Sequence, residues 1–166
     1  MGVAEVAGWI NEWPLSLAIR EGDWSFPLIE SIHVISFSAV VGSISAVDLR
    51  LLGVTARKIS IRRYCAEILP ITWVAFACAA ISGSLLFISR APAYVANFYF
   101  LVKLSLLAVA GINMLVFHVF TWKKVDRWDV DVLPSTEARM AGGLSLLLWL
   151  CIIFFGRRVG FTLTRG

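Results

Sequence analysis

Residues 98–122 read FYFLVKLSLLAVAGINMLVFHVFTW, a stretch in which Lys103 is the only acidic or basic residue apart from His118. As a helix it is long enough to cross about 30 Å of hydrocarbon, and it is too apolar for the surface of a water-soluble domain. Working outward, the pattern recurs upstream as PLIESIHVISFSAVVGSISAVDLRLL at 27–52 and ILPITWVAFACAAISGSLLFIS at 68–89. Downstream it recurs at 138–155, where the run closes on Gly156, Arg157 and Arg158. The four runs predict an all-α, integral membrane four-transmembrane-helix bundle forming a single membrane domain over residues 1–166. Pro27 and Pro70 are expected in the opening turns of the first two spans. Lys103, near the start of the third, is placed to snorkel toward the headgroups.

Composition agrees. The 166 residues are 59% hydrophobic and 16% charged, against about half and about a quarter in soluble domains. The excess apolar surface needs lipid as its solvent, and the four runs leave no room for a catalytic ectodomain. A net charge of +4 and a pI near 9.3 would suggest nucleic acid in a soluble chain. Here the basic residues gather at the ends of apolar runs, where they orient helices, and no nucleic acid is expected as a partner.

Ahead of the first span, VAEVAGWINEWPLSLAIR at 3–20 mixes apolar positions with Glu5, Glu12 and Arg20 and carries Trp9 and Trp13. It reads as an amphipathic helix lying in the interface. Its acidic first turns differ from a cleavable signal peptide, so the mature protein is expected to start near Met1. Arg50, Arg57, Lys58, Arg62, Arg63, Lys123, Lys124, Arg127 and Arg139 fall on one side of the spans. Arg20, Arg90, Lys103, Arg157, Arg158 and Arg165 fall on the other. The bias places the two longer connections in the cytoplasm and both termini in the periplasm of a bacterial inner membrane. Small residues recur every fourth position at Ser38, Gly42 and Ala46, at Ala75, Ala79 and Gly83, and at Ala138 and Gly142, and predict close helix contacts. Cys65, Cys78 and Cys151 form no ligand motif, and Cys78 and Cys151 read as packing residues.

Chemistry is confined to few residues. His33 and His118 are the only histidines, and both fall inside spans, where an ionisable group is costly. Glu30 lies one turn before His33 and Ser36 one turn after, so a carboxylate could orient the imidazole. His118 shares a stripe with Met114 and Gly111, and Met140 opens the fourth span at the same edge. A Met/His set suits Cu(I), and a histidine beside a glycine gap suits b-type haem. His33 and His118 lie about 9 and 30 Å below the same edge, roughly 20 Å apart, so they predict two sites rather than one shared haem. Arg50 is a candidate for a haem propionate or an anionic lipid, or, with Asp48, a cap at the headgroup boundary. Asn113 is expected to hydrogen-bond across helices. There is no Walker A loop, G-x-S-x-G, H-E-x-x-H or C-x-x-C-H, and no internal repeat.

Through IHVISFSAVVGSISAVDLRLLG, ISGSLLF and NFYFLVKLSLLAVAGINMLVFH the chain resembles a poorly characterised family of four-helix bacterial inner-membrane proteins, and distantly the CopD copper-resistance membrane proteins. His33, Gly42, Asp48, Arg50, Gly83, Asn97, Lys103, Asn113 and His118 carry the likeness, which covers roughly residues 30 to 120. It implies an inner-membrane location and raises copper as a cargo. From the residues, the expectation is a membrane subunit holding b-type haem for electron transfer, with His33, His118, Met140, Gly111 and Arg50 around the cofactor. Other membrane subunits or a second copy would be its partners. The alternatives are a copper-handling permease using Met114, His118 and Met140, or a purely structural subunit.

Overall fold

The computed structural model describes residues 2–163, apart from the side chain of Arg127; Met1 and Arg165 lie outside the described residues. Two short helices, α1 (Val3–Asn11) and α2 (Pro14–Glu21), precede the first long helix, α3 (Ser25–Leu51). α4 (Ile61–Ser89), a single turn α5 (Ala91–Val95), α6 (Phe98–Val116) and α7 (Thr136–Leu163) follow. After Val116 the α6 path continues as a π-turn, Phe117–Thr121, and a 3₁₀ segment, Trp122–Arg127. Four helical stretches, Ser25–Leu51, Ile61–Ser89, Phe98–Asp126 and Thr136–Leu163, are long and apolar enough to cross a membrane. The protein is an all-α, multi-pass membrane protein.

The amphipathic N-terminal segment is helical in two pieces because Pro14 has no N–H to continue α1; it opens α2 at its first position instead. Arg20 donates back to the Asn11 side chain at 3.0 Å, folding the two pieces together. Pro70, expected in an opening turn, lies inside α4. That helix starts earlier than its apolar run because Ser60 caps it, accepting from the Arg63 N–H at 3.4 Å. Ile61 and Cys65, one turn apart, then bury themselves against Leu51, Val125 and Trp128.

α3 packs along both α4 and α7, and α6 packs along α7. α4 and α6 have no close approach along their length; they meet where α6 begins, with Phe87 stacked on Phe100 at 5.7 Å and Tyr94 edge-on to Phe100 at 5.0 Å. Three sides of a square are therefore closed and the fourth is loose. Two apolar cores fill it. One joins Val40, Ala75, Trp149 and Ile152 in mid-bundle, and the other lies at the far end, the end carrying the two longer connections. Outside, Ile71, Val74, Ile81, Ile112, Leu115, Leu150 and Phe154 stay exposed, as lipid-facing residues must.

The small-residue stripes divide. Ala75, Ala79, Ala138 and Gly142 are buried in helix contacts, and a Cβ on Gly142 would stand 3.0 Å from Leu51 Cβ and 3.1 Å from the Asp48 carbonyl. Ser38 and Gly42 face outward, contrary to the expected contact, because the bulkier Phe37, Val40 and Val41 on the opposite face of α3 take the core. Among the thiols Cys65 is the buried one, whereas Cys78 is exposed and Cys151 intermediate, so Cys78 is not an interior packing residue.

Arg50 closes the far end. It is 0% exposed, and its Nη2 donates to the Ile59 carbonyl at 3.1 Å and the Asp129 carbonyl at 2.8 Å. Asp129 in turn accepts from Ser60 Oγ at 2.8 Å and from the Arg62 N–H at 3.2 Å. One guanidinium thus holds the connection after α3 to the connection before α7. Arg50 is neither a headgroup cap nor open to a lipid or a propionate, and Asp48, 4% exposed against Ser145, is likewise inside. Arg50→Ala removes both bridges and leaves a cavity in the far-end core. It should lower stability by about 3 kcal/mol, read as a reduced midpoint in thermal unfolding of the detergent-solubilised protein.

Candidate functional site

At the near end, where α3 begins and α7 finishes, all four long helices contribute a residue to one layer. His33 enters from α3, about 12 Å below the start of that helix, and Lys103 from α6, about 8 Å below its start. Gly83 of α4 makes the space for the His33 ring, and Gly156 of α7 lies against the Lys103 stem. A Cβ on Gly83 would stand 2.9 Å from His33 Cε1, and one on Gly156 would stand 3.6 Å from Lys103 Cε. A Cβ fits at Gly156 but not at Gly83, so it is the His33 ring that needs its glycine.

His33 Nδ1 lies 2.9 Å from the Ala79 carbonyl and 3.2 Å from Ser82 Oγ. A carbonyl only accepts, so Nδ1 carries the proton and donates; Nε2 then bears the lone pair. Ser82 Oγ gives its own proton to the Cys78 carbonyl at 2.6 Å and is free to accept. The imidazole also stacks on Phe37, with centroids 6.3 Å apart and planes 21° apart. The Glu30 carboxylate, the candidate to orient the ring, is exposed and does not do so: the Ala79 carbonyl on the neighbouring helix does.

Lys103 does not snorkel. Its stem lies along Gly156 and its ammonium sits 5.4 Å from the Phe37 ring centroid, turned toward the bundle interior and bound by cation–π attraction. α6 is held in this rotation by Asn97, which accepts from the Phe100 N–H at 3.1 Å as a cap and donates to Thr162 Oγ1 of α7 at 2.7 Å. Above the layer, Tyr94 rests among the Phe87 and Phe100 rings; burial, helped by the Glu30 carboxylate, pushes its phenol above the ordinary value. Sequence reasoning passed over Lys103 as a snorkelling residue. The signal available was its position in an otherwise uncharged run.

The remaining candidates lie elsewhere. His118 is exposed in the π-turn at the far end, with Nδ1 3.0 Å from the Met114 carbonyl and its ring stacked on Trp122 at 5.9 Å. Met114 and Met140 are 45% and 68% exposed, and Gly111 opens onto empty space. None of these four points into the bundle. Among the described residues no three His, Cys, Asp or Glu side chains converge as a metal site. Asn113 makes its expected cross-helix bond, donating to the Ala141 carbonyl at 3.1 Å. No protein-family model, curated protein or solved structure matches the chain.

Gly83→Ala should force the His33 ring off the Ala79 carbonyl and cost about 1–2 kcal/mol of stability. In a His33→Ala background the added methyl meets no ring and the cost should vanish. Thermal unfolding of the four proteins of this double-mutant cycle measures that coupling.

Proposed function

We propose that the protein is a redox subunit of a bacterial inner membrane whose near-end layer would hold a b-type haem through His33 Nε2. The observation that carries the reading is the His33–Ala79 bond. A metal-bound imidazole donates its other ring N–H to a carbonyl or carboxylate, which fixes the tautomer and aims the free nitrogen. His33 has this arrangement, at a depth where water is scarce and an ionisable side chain needs a purpose. Haem bound there would supply one-electron chemistry, and its potential would follow the surrounding dielectric and charge. What the chain contributes is orientation of the ring by Ala79 and Ser82, the space left by Gly83, and a positive charge at Lys103. Electron exchange with another membrane subunit or a second copy of the chain belongs to the same reading.

The topology belongs to the same reading. Arg57, Lys58, Lys123, Lys124 and Arg139 are exposed at the far end, which favours that end in the cytoplasm and both termini in the periplasm. The copper reading draws less support, because Met114, His118 and Met140 lie exposed on the outside rather than gathered around a cavity.

Protein purified in mild detergent from haem-replete cells should show a Soret band. His33→Ala should abolish it, and His118→Ala should leave it unchanged. A colourless wild-type protein that also fails to take up added haem, or a band indifferent to His33→Ala, would remove the proposal.

A further inference from the structure

The layer contains a cation without an anion. Among the described residues the ion pairs are Arg62 with Asp126 and Arg63 with Glu67, both at the far end, and no carboxylate pairs with Lys103. Its nearest compensation is the Phe37 ring face. A π face offsets only part of the cost of holding an ammonium away from water, and intramembrane lysines are found paired or lining a pathway. Lys103 could have reached the headgroups, since it starts about 8 Å from the end of α6 and its side chain is long. Instead its stem lies against Gly156, Asn97 ties α6 to α7, and the ammonium faces the Phe37 ring on α3.

The loose side of the square lies beside this charge. α4 and α6 are held together above the layer by Phe87, Phe100 and Tyr94, and at the far end α4 meets the segment that continues α6 through Arg62, Asp126 and Phe117; between these points the two helices do not pack closely. Both His33 and Lys103 are only partly buried.

We infer that the Lys103 ammonium is the docking point for the carboxylate of an amphiphile, an acid group on a hydrophobic body that enters from the bilayer between α4 and α6. An ammonium and a carboxylate form a charge-assisted hydrogen bond that is strongest where water is excluded. A phospholipid phosphate, anchored at the surface, stands above the layer; a carboxylate attached directly to an apolar body reaches its depth. Two sources carry that chemistry, the propionate of a porphyrin and a free fatty acid. The inference stands on the geometry of Lys103 and survives or fails separately from haem ligation by His33.

The test pairs each acid with its neutral counterpart: ferric protoporphyrin against its dimethyl ester, and oleate against oleyl alcohol. Binding to the full chain in phosphatidylcholine nanodiscs is followed by tryptophan quenching for the porphyrins and by native mass spectrometry for the lipids. Wild type should prefer the acid about tenfold in at least one pair. Lys103→Met, which keeps the stem and removes the charge, should bind both members of that pair equally, and Lys103→Arg should keep the preference. Absence of acid preference in wild type overturns the inference without any variant, as does a preference that persists in Lys103→Met. If both porphyrins bind alike and depend on His33, and oleate is not preferred over oleyl alcohol, the Lys103 inference falls and haem ligation stands. If neither porphyrin binds while oleate is preferred, haem ligation falls and the Lys103 inference stands.

Discussion

Hydrocarbon offers no hydrogen-bond partner, so every polar group carried into it must bring its own. The backbone meets this demand by forming helices, and the side chains meet it in two ways. On lipid-facing positions hydroxyls turn back onto their own helix, as Ser38 does to the Val34 carbonyl at 2.8 Å and Ser84 to the Ala80 carbonyl at 2.8 Å. Between helices they pair across the contact, as Thr72 does with Ser43 at 2.8 Å and Asn113 with Ala141 at 3.1 Å. Serine on the outer surface of a span is therefore no sign of a site. Lys103 stands out because it follows neither rule.

The two ends of the bundle use charge differently. At the far end Arg50 is enclosed by its own chain, and its acceptors are backbone carbonyls of two connections that Ser60–Asp129 and the Asp131 N–H to Arg57 carbonyl bond also join. Its role is architectural, and the exposed ion pairs Arg62–Asp126 and Arg63–Glu67 at its rim add little by comparison. At the near end His33 and Lys103 are only half enclosed, and each keeps a nitrogen with no hydrogen-bond partner among the described residues. The far end is not fully saturated either, since Arg50 Nε and Nη1 and one Asp48 oxygen are buried without a hydrogen-bond partner; what sets the near end apart is that its two groups are partly accessible.

The break in regular structure after Val116 follows from the same division. α6 must leave the bilayer and then turn so that Val125 and Trp128 enter the far-end core and Asp129 reaches Ser60 and Arg50. An uninterrupted α-helix would carry these residues outward, and the π-turn followed by a 3₁₀ segment shifts their direction within a few residues. His118 lies on this transition and faces outward, so its place in the fold is explained by the turn that contains it.

The four spans, the helical N-terminal segment and the cross-helix bond of Asn113 were legible in the amino-acid order because they follow from transfer energies, which depend on composition over a window rather than on neighbours in space. The two histidines were recognisable as unusual for the same reason. Which of them faces the interior was not. One turn of helix carries a residue from the core to the lipid, and the rotation of each helix is set by contacts such as Gly142 on Leu51 and Asn97 on Thr162 that join residues far apart in sequence. Rotation placed His33 against Ala79 and Gly83, turned Met114, His118 and Met140 outward, buried Arg50 in a connection rather than at a headgroup, and brought Lys103 into the layer beside Phe37. Hydrophobicity determined that this chain lives in a membrane; the fit of side chains between helices decided where within it any chemistry could occur.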